Sequence, residues 1–325
     1  MKLPRRKFLH LAAGAAGLLA VSPTTWAQSY PTRPVRLIVP FPPGGQIDII
    51  ARLIGQWLSE RLGQPFIIEN RAGAGGNIGT EAVVRAEADG NTLLLASGTN
   101  AVNATLFDKL NFDFIRDTTP VATINRIPLV LEVHPSFPAK TVPELIDYAK
   151  SNPGKVSLAS PPKGTGPYMA AELFKMMSGV DLVHVPYRGD GPMLTDLLGG
   201  QVQVGFGGIS ASIEQIRAGK LRALAVATAA RLEWLPDIPT VGEFVPGYEA
   251  SGWCGVVAPK NTPIAVIAKL NKEINAALAD PKFKSRLADL IAPVLAGSPA
   301  DFSKLIAEET EKWGKVIRTA NIKPD

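Results

Sequence analysis

A repeating unit constrains the fold of this chain more than any other feature: a short apolar run, a loop rich in Gly and Pro, and then an amphipathic stretch. In the first copy, the apolar run 35–39 precedes the loop 40–45, and an apolar stripe at helical spacing extends from Ile47 to Leu58. Strand and helix units that alternate in this way favour parallel sheets in an α/β architecture. The later apolar runs lie at 65–69, 92–96, 156–159, 182–185 and 202–206.

The repeated units fall into two groups, one before about residue 125 and one after about residue 140. The apolar runs 129–133 and 253–257 bracket the second group and break the rhythm, so we expect the chain to cross between two lobes there. This pattern predicts one lobe from residues 28–128 plus 254–325 and a second lobe from residues 129–253.

Residues 1–27 have the layout of a secretory signal peptide. A basic head that contains Arg5 and Arg6 precedes an apolar stretch that is too short to span a membrane, and a small-residue pattern ends at Ala27. We expect cleavage after Ala27 and a periplasmic mature protein that begins at Gln28. The Arg pair also fits a twin-arginine export signal, and the sequence leaves both export routes open.

Removal of the signal changes the charge of the protein. Four of the 34 Lys and Arg residues, and none of the 29 acidic residues, fall within 1–27, so the mature chain has 30 cationic against 29 anionic side chains. A near-neutral chain gives no indication of nucleic-acid binding. Cys254 is the only cysteine, which excludes an intramolecular disulfide.

The Gly-rich loops predict where a ligand binds. In open α/β sheets, ligands lie beyond the carboxyl ends of the strands. The helix that begins after each loop presents unpaired N–H groups and a partial positive charge, which favour anions. A single loop of this kind is more often only a turn, but several at one sheet edge favour a shared anion-binding cleft.

Several side chains in these loops are candidate ligand contacts, and each has a structural alternative. Arg188 suits a carboxylate bidentately, or is a solvated loop residue. Asp48 contacts the ligand or complements a helix dipole. Four further residues either donate hydrogen bonds to a ligand or cap the adjacent helix: Ser97, Thr99, Asn103 and Thr165.

The sequence gives little support for an enzyme. The mature chain has two histidines, His134 before a proline and His184 inside an apolar run, and it lacks a nucleophile elbow and the paired spacings of a metal site. The loop 73–79 precedes a helix expected at about 80–88, but its glycine spacing does not match a dinucleotide fingerprint. We therefore predict no catalytic residues, no metal and no cofactor.

Taken together, these segments resemble the Bug family, the periplasmic solute receptors of tripartite tricarboxylate transporters. The resemblance covers essentially the whole chain and depends on the order and spacing of its parts. The segments that carry it are 34–41, Gly44 and Gly45 with Asp48, 69–79, 185–189, 218–226, 239–243, Trp253 and 258–259.

The resemblance implies a type II periplasmic-binding-protein fold, in which two lobes with mostly parallel sheets are joined by a two-strand hinge and close on a ligand without performing chemistry on it. Family ligands include dicarboxylates, tricarboxylates, amino acids and aromatic acids. The ligand-binding residues that it implies here are Phe41, Gly44, Gly45, Asp48, Ala74, Ser97, Thr99 and Asn103 in the first lobe, and Thr165, Tyr187, Arg188, Gly189 and Gly208 in the second.

Two positions depart from the family pattern. Family members often carry His where this chain has Tyr168 and Asn100. With two fewer potential cations, a polyanion such as citrate becomes less plausible, and a monocarboxylate, or an aromatic acid stacked near Phe41, Tyr168 or Tyr187, becomes more so. Tyr168 is therefore included among the expected ligand-binding residues.

The expected partners are a small carboxylate and membrane transporter subunits, and we expect a monomer because no long exposed apolar helix indicates a partner surface. Two other functions remain open from the sequence. The first is a receptor that presents its ligand to a membrane sensor kinase, which would have the same sequence features. The second is a periplasmic enzyme on this scaffold.

Overall fold

The computed structural model describes residues 30–324. The predicted signal peptide, residues 1–27, lies outside the described residues. The strands in chain order are β1 (Val35–Val39), β2 (Phe66–Asn70), β3 (Thr92–Ser97), β4 (Thr118–Ile127), β5 (Leu129–Val133), β6 (Ser157–Ser160), β7 (Val183–Pro186), β8 (Val204–Gly208), β9 (Arg222–Val226) and β10 (Gly252–Pro259).

Helices follow most of the strands, as the repeating unit predicts. No helix within residues 30–324 is long and apolar enough to cross a membrane. The helices in chain order are α1 (Gln46–Leu62), α2 (Asn77–Val84), α3 (Gly98–Leu106), α4 (Phe114–Asp117), α5 (Val142–Ser151), α6 (Gly166–Ser178), α7 (Asp190–Leu198), α8 (Ile209–Arg217), α9 (Ile264–Ala279), α10 (Pro281–Asp289) and α11 (Pro299–Thr319).

The strands form two five-stranded sheets of the same design. The first has the order β2-β1-β3-β10-β4 and the second the order β7-β6-β8-β5-β9. In the first sheet only β10 runs against the other strands, and in the second only β5 does. Two mostly parallel sheets with helices confirm the predicted α/β architecture.

The chain crosses between the sheets twice, and the two crossings run side by side. The outward crossing joins β4 to β5 at Pro128 and the return leads into β10, whose first residue, Gly252, pairs with Ile127. The apolar runs 129–133 and 253–257 lie inside β5 and β10, so the crossings are directly next to them. The assignment of residues 28–128 plus 254–325 and residues 129–253 to separate lobes stays a prediction.

Each lobe has an apolar core, and the C-terminal helix α11 contributes to both. In the first lobe, Phe302 near its start packs with Trp253 of β10. Trp313 and Ile317, near its end, belong to the core cluster of the second lobe. Burial of a large apolar side chain contributes about 1.5–3 kcal/mol to the stability of the fold. Because α11 buries such side chains in both cores, it links the first sheet to the second lobe.

Candidate functional site

The first Gly-rich loop, 40–45, is held in place by the buried carboxylate of Asp48. Its Oδ2 accepts hydrogen bonds from the Gly44 amide at 2.9 Å and from Arg52 Nε at 3.0 Å, and its Oδ1 accepts one from Asn70 Nδ2 at 2.9 Å. Burial alone would raise the pKa of Asp48, but these hydrogen bonds lower it overall. Asp48 thus shapes the loop, and its contact with a ligand remains a prediction.

The second Gly-rich loop packs against the first. A Cβ at Gly76 would lie 3.3 Å from Pro40 Cβ, so the absence of a side chain allows this close approach. Asn103 is buried and donates from Nδ2 to Gly75 O and to Asn77 Oδ1, both at 2.9 Å. The Asn103 amide therefore fixes the second loop.

A cavity of about 140 Å³ lies where the first sheet, the two crossings and the second lobe meet. We call it the interlobe cavity. Its wall contains the predicted residues Ser97 and Thr99. The complete wall is Ile47, Ser97, Gly98, Thr99, Val102, Ile127, Leu129, Gly166, Pro167, Ala250, Ser251, Gly252, Trp253, Glu309 and Trp313.

Two buried donors in this wall donate no hydrogen bond within residues 30–324: the Ser97 hydroxyl and Trp253 Nε1. Ser97 Oγ is the acceptor of the capping box of α3, toward the Asn100 amide, so its hydroxyl hydrogen is the part without a partner. The Ser97 amide donates to Asn100 Oδ1 at 2.9 Å, so the residue is anchored by its backbone. A Cβ at Gly98 would lie 3.6 Å from Trp253 Nε1, which places the indole donor beside the start of α3. An unsatisfied buried polar group costs about 1–3 kcal/mol, which a bound acceptor would offset.

Two helices from opposite lobes begin at the interlobe cavity. Helix α3 starts at Gly98 and α6 starts at Gly166, and both residues are in the wall. The first-turn amides of a helix lack partners within the helix and favour an anion. Pro167 has no amide hydrogen, so α3 offers more donors than α6. The Thr165 hydroxyl beside α6 donates to Pro162 O at 2.7 Å.

An ion-pair network lies behind one part of the wall. Glu309 is buried, its Oε2 accepts from Trp313 Nε1 at 2.8 Å and its Oε1 pairs with Lys312. The same Lys312 ammonium contacts Glu249 Oε2 at 3.1 Å. Lys312 therefore joins two carboxylates beside the cavity, and the Arg126 guanidinium also acts on Glu249 and helps to lower its pKa.

The aromatic residues predicted in the second lobe are engaged within that lobe. Tyr168 is buried and packs edge-on against the His184 ring, with 4.6 Å between centroids. The Tyr187 hydroxyl donates to Asp196 Oδ2 at 2.7 Å. Stacking of an aromatic ligand on either ring stays a prediction.

The remaining predicted residues lie outside the wall of the interlobe cavity in the described part of the chain. Arg188 is exposed on the loop between β7 and α7, and the Gly208 amide donates to Asp190 Oδ1 at 3.4 Å. Their ligand contacts also stay predictions. The exposed members of the set are Gly44, Gly45, Ala74 and Arg188, and the partly buried members are Phe41, Gly189 and Gly208.

A buried acidic pair lies in the second lobe beside Gly207. A Cβ at Gly207 would be 3.6 Å from Glu132 Oε1 and 3.5 Å from Asp190 Oδ1. Glu132 is fully buried, and neither its carboxylate nor the nearby Ser212 hydroxyl makes a hydrogen bond of standard geometry with the described residues. Burial raises the pKa of Glu132 to about 8, and the proximity of Asp190 adds to this increase while Ser212 opposes it.

Three groups in the described residues could in principle take part in chemistry: metal-binding side chains, the Cys254 thiol and the Ser160 hydroxyl. Within residues 30–324, no group of three or more His, Cys, Asp or Glu side chains is placed to hold a metal ion. Cys254 is buried, and burial raises the pKa of its thiol to about 12. The Ser160 hydroxyl lies 2.6 Å from His184 Nε2, and Ser160 is fully buried.

Sequence reasoning did not identify Trp313, Glu309 and Pro167 as wall residues, and it singled out Trp253 only as part of the family resemblance. Trp313 and Glu309 are on α11, far along the chain from the Gly-rich loops. The position of Trp253 next to an expected crossing was a usable signal. The other positions resemble ordinary core residues of an amphipathic helix.

Comparison with known proteins identifies the family. The model of the tripartite tricarboxylate transporter family receptor matches residues 50–322. The chain belongs to this receptor family. The match confirms the resemblance to the Bug family, and the protein BugT of Bordetella pertussis is 38% identical over 300 residues, which are 91% of this chain and 92% of that protein.

Solved receptor structures share the fold. A protein of R. palustris solved with adipate is 39% identical, with a TM-score of 0.80, over 91% of this chain and 100% of that chain. MatC from Rhodopseudomonas palustris, solved with bound malate, is 35% identical, with a TM-score of 0.76, over 89% of this chain and 100% of that chain. These similarities confirm the predicted periplasmic-binding-protein fold.

Proposed function

We propose that this receptor captures a small carboxylate between its lobes and delivers it to the membrane subunits of a tripartite tricarboxylate transporter. The observation that carries the proposal is the interlobe cavity, where the first turns of α3 and α6 meet two unpartnered donors, Ser97 Oγ and Trp253 Nε1. Carboxylates accept hydrogen bonds only, so they match a site made of donors. The related structures with adipate and malate support the ligand class.

The predicted ligand residues divide into two roles in this proposal. Ser97 and Thr99 contact the ligand directly from the cavity wall. Asp48 and Asn103 hold the two Gly-rich loops of the first lobe in shape through their hydrogen bonds. The second-lobe residues approach the ligand when the lobes close by a hinge motion at the paired crossings, which the ligand stabilises.

Binding without chemistry is the activity that we propose. The matching family consists of receptors, and the Ser160 hydroxyl beside His184 is fully buried. We further propose that residues 1–27 direct export to the periplasm and that the mature protein, with lobes formed by residues 28–128 plus 254–325 and residues 129–253, is a monomer.

Thermal unfolding of the mature chain tests this function. The protein is first unfolded and refolded to remove any ligand from the expression host, and is then heated with carboxylic acids and with their matched amides. A ligand at 100 times its Kd adds about 2.7 kcal/mol of stability, and each kcal/mol raises Tm by roughly 2–4 °C. A rise with an acid but not with its amide supports the proposal, and no rise with any acid contradicts it.

A further inference from the structure

The wall of the interlobe cavity is mainly apolar. Side chains of Val102, Ile127, Leu129, Trp253 and Trp313 make up much of it. Among the described residues, the wall contains no Arg, Lys or His side chain. A ligand body that enters this space therefore meets apolar surface, and no cation in the wall neutralises a second anionic group.

The unpartnered donors are concentrated at one place in the wall. Ser97 is 3% exposed and Trp253 is 0% exposed, and both border Gly98 at the start of α3. Their side-chain donors and the first-turn amides of α3 that precede the capped Asn100 amide together suit the two oxygens of one carboxylate. This set accounts for a single anionic group of the ligand.

The charge behind the wall disfavours a second carboxylate. Glu309 is 5% exposed, and the only cation that it contacts, among the described residues, is Lys312, which also contacts Glu249. The Arg126 guanidinium also acts on Glu249 and helps to lower its pKa. These cations are already engaged by Glu309 and Glu249, so neither is left to neutralise a second carboxylate of the ligand, and an unpaired charge is costlier at a buried site than in water.

The volume of the cavity indicates the size of ligand body that fits inside it. At about 140 Å³, the cavity is close to an engineered protein cavity of about 150 Å³ that binds benzene. An apolar body of about six carbon atoms therefore fits inside the cavity.

We infer that the preferred ligand is a monocarboxylate with an apolar body of about six carbons, whose carboxylate is bound by Ser97, Trp253 and the first turn of α3. This inference rests on the proposed function and narrows its ligand class. It distinguishes this receptor from the related structures that were solved with adipate and malate, which carry two carboxylates.

Isothermal titration calorimetry with hexanoate and adipate tests the inference, because the two acids share a six-carbon chain and differ by one carboxylate. Refolded mature protein is titrated with each acid, and with benzoate as a ring of the same size. We expect hexanoate to bind at least about tenfold more tightly than adipate. The reason is that adipate would bury a second carboxylate without a partner, and the cost of doing so lowers the affinity by this factor or more. Equal or tighter binding of adipate would overturn the inference and leave the proposed function standing. If hexanoate, adipate and benzoate all fail to bind, the inference is overturned, and failure of a wider acid panel overturns the proposed function as well.

Variants assign the preference to the named groups. Ser97→Ala and Trp253→Phe each remove one donor, and each should weaken hexanoate binding about tenfold. The matched controls Ser285→Ala, at an exposed position of α10, and Trp57→Phe, at an indole that already donates to Glu273 O, should leave it unchanged. Equal effects of test and control variants would contradict the assignment.

The variant Glu309→Gln tests the pairing of Lys312 with Glu309 separately. Loss of the negative charge should raise adipate affinity and narrow the ratio between hexanoate and adipate affinities. An unchanged ratio in a variant that unfolds at the wild-type temperature would refute the role of Glu309. If this variant does not fold, the hexanoate-to-adipate ratio of the wild-type protein still decides the inference.

Discussion

The buried Glu132 predicts an unusual dependence of stability on pH. Its carboxyl group is fully buried on β5, near Asp190, and lacks a hydrogen-bond partner of standard geometry within residues 30–324. Burial, reinforced by Asp190, raises the pKa of Glu132 from 4.5 to about 8. The folded protein therefore holds a proton on Glu132 at neutral pH, whereas the unfolded chain does not.

The direction of the effect follows from this difference. Between pH 4.5 and 8 the folded state binds more protons at Glu132 than the unfolded state. The stability linked to this proton is fully present below about pH 4.5 and is lost as the pH rises towards 8. The slope reaches about 1.4 kcal/mol per pH unit, so a rise from pH 5 to pH 7 removes about 2–3 kcal/mol from the free energy of unfolding.

Urea unfolding of the wild-type protein and of Glu132→Gln at pH 5 and pH 7 measures this effect. Gln is close in shape and stays neutral, so the variant should gain about 2–3 kcal/mol relative to the wild type between pH 5 and pH 7. Glu214→Gln, at a surface position of α8, is the control and should follow the wild type. Identical pH dependence of the wild type and Glu132→Gln would refute the reasoning.

Three further predictions concern packing and reactivity. Gly255→Ala should lower the free energy of unfolding by about 1–3 kcal/mol, because the new Cβ would lie 2.6 Å from Ala122 O. Urea unfolding measures this loss, and a variant as stable as the wild type would contradict the prediction. Asp48→Ala should lower the free energy of unfolding by about 1–3 kcal/mol and weaken carboxylate binding, because the Gly44 amide loses its acceptor. Calorimetry that shows an unchanged carboxylate affinity would exclude the role of Asp48 in positioning the loop. The Cys254 thiol, which is buried with its pKa raised to about 12, should react with a disulfide reagent in urea but not in the native protein, and rapid native labelling would contradict its burial.

The sequence predicted much of the fold because the signals for its elements are local. The apolar run 35–39 became β1, and the stripe from Ile47 to Leu58 lies on α1, which spans Gln46–Leu62. The helix expected at about 80–88 was misplaced. It spans Asn77–Val84, because glycines with positive φ end the second loop earlier than the pattern indicated.

The candidate site was only partly predictable, because its wall joins distant parts of the chain. Ser97 was identified from its place after a strand, which is a local signal. Trp253 and Glu309 reach the same cavity only because β10 returns beside β3 and α11 packs across both lobes. The absence of acceptors for the Ser97 hydroxyl and Trp253 Nε1 within residues 30–324 is a property of packing that no spacing in the sequence encodes.

The most direct test of the central claim is a crystal structure of the refolded mature protein with a carboxylate that stabilises it, collected with a brominated analogue so that anomalous scattering locates the ligand. The proposal predicts that the carboxylate lies within hydrogen-bond distance of Ser97 Oγ and the first-turn amides of α3, with the bromine in the interlobe cavity. A second cavity, of about 760 Å³ and lined in part by Arg126, Trp234 and Lys284, offers an alternative place. Bromine density there, with the interlobe cavity free of ligand, would contradict the claim.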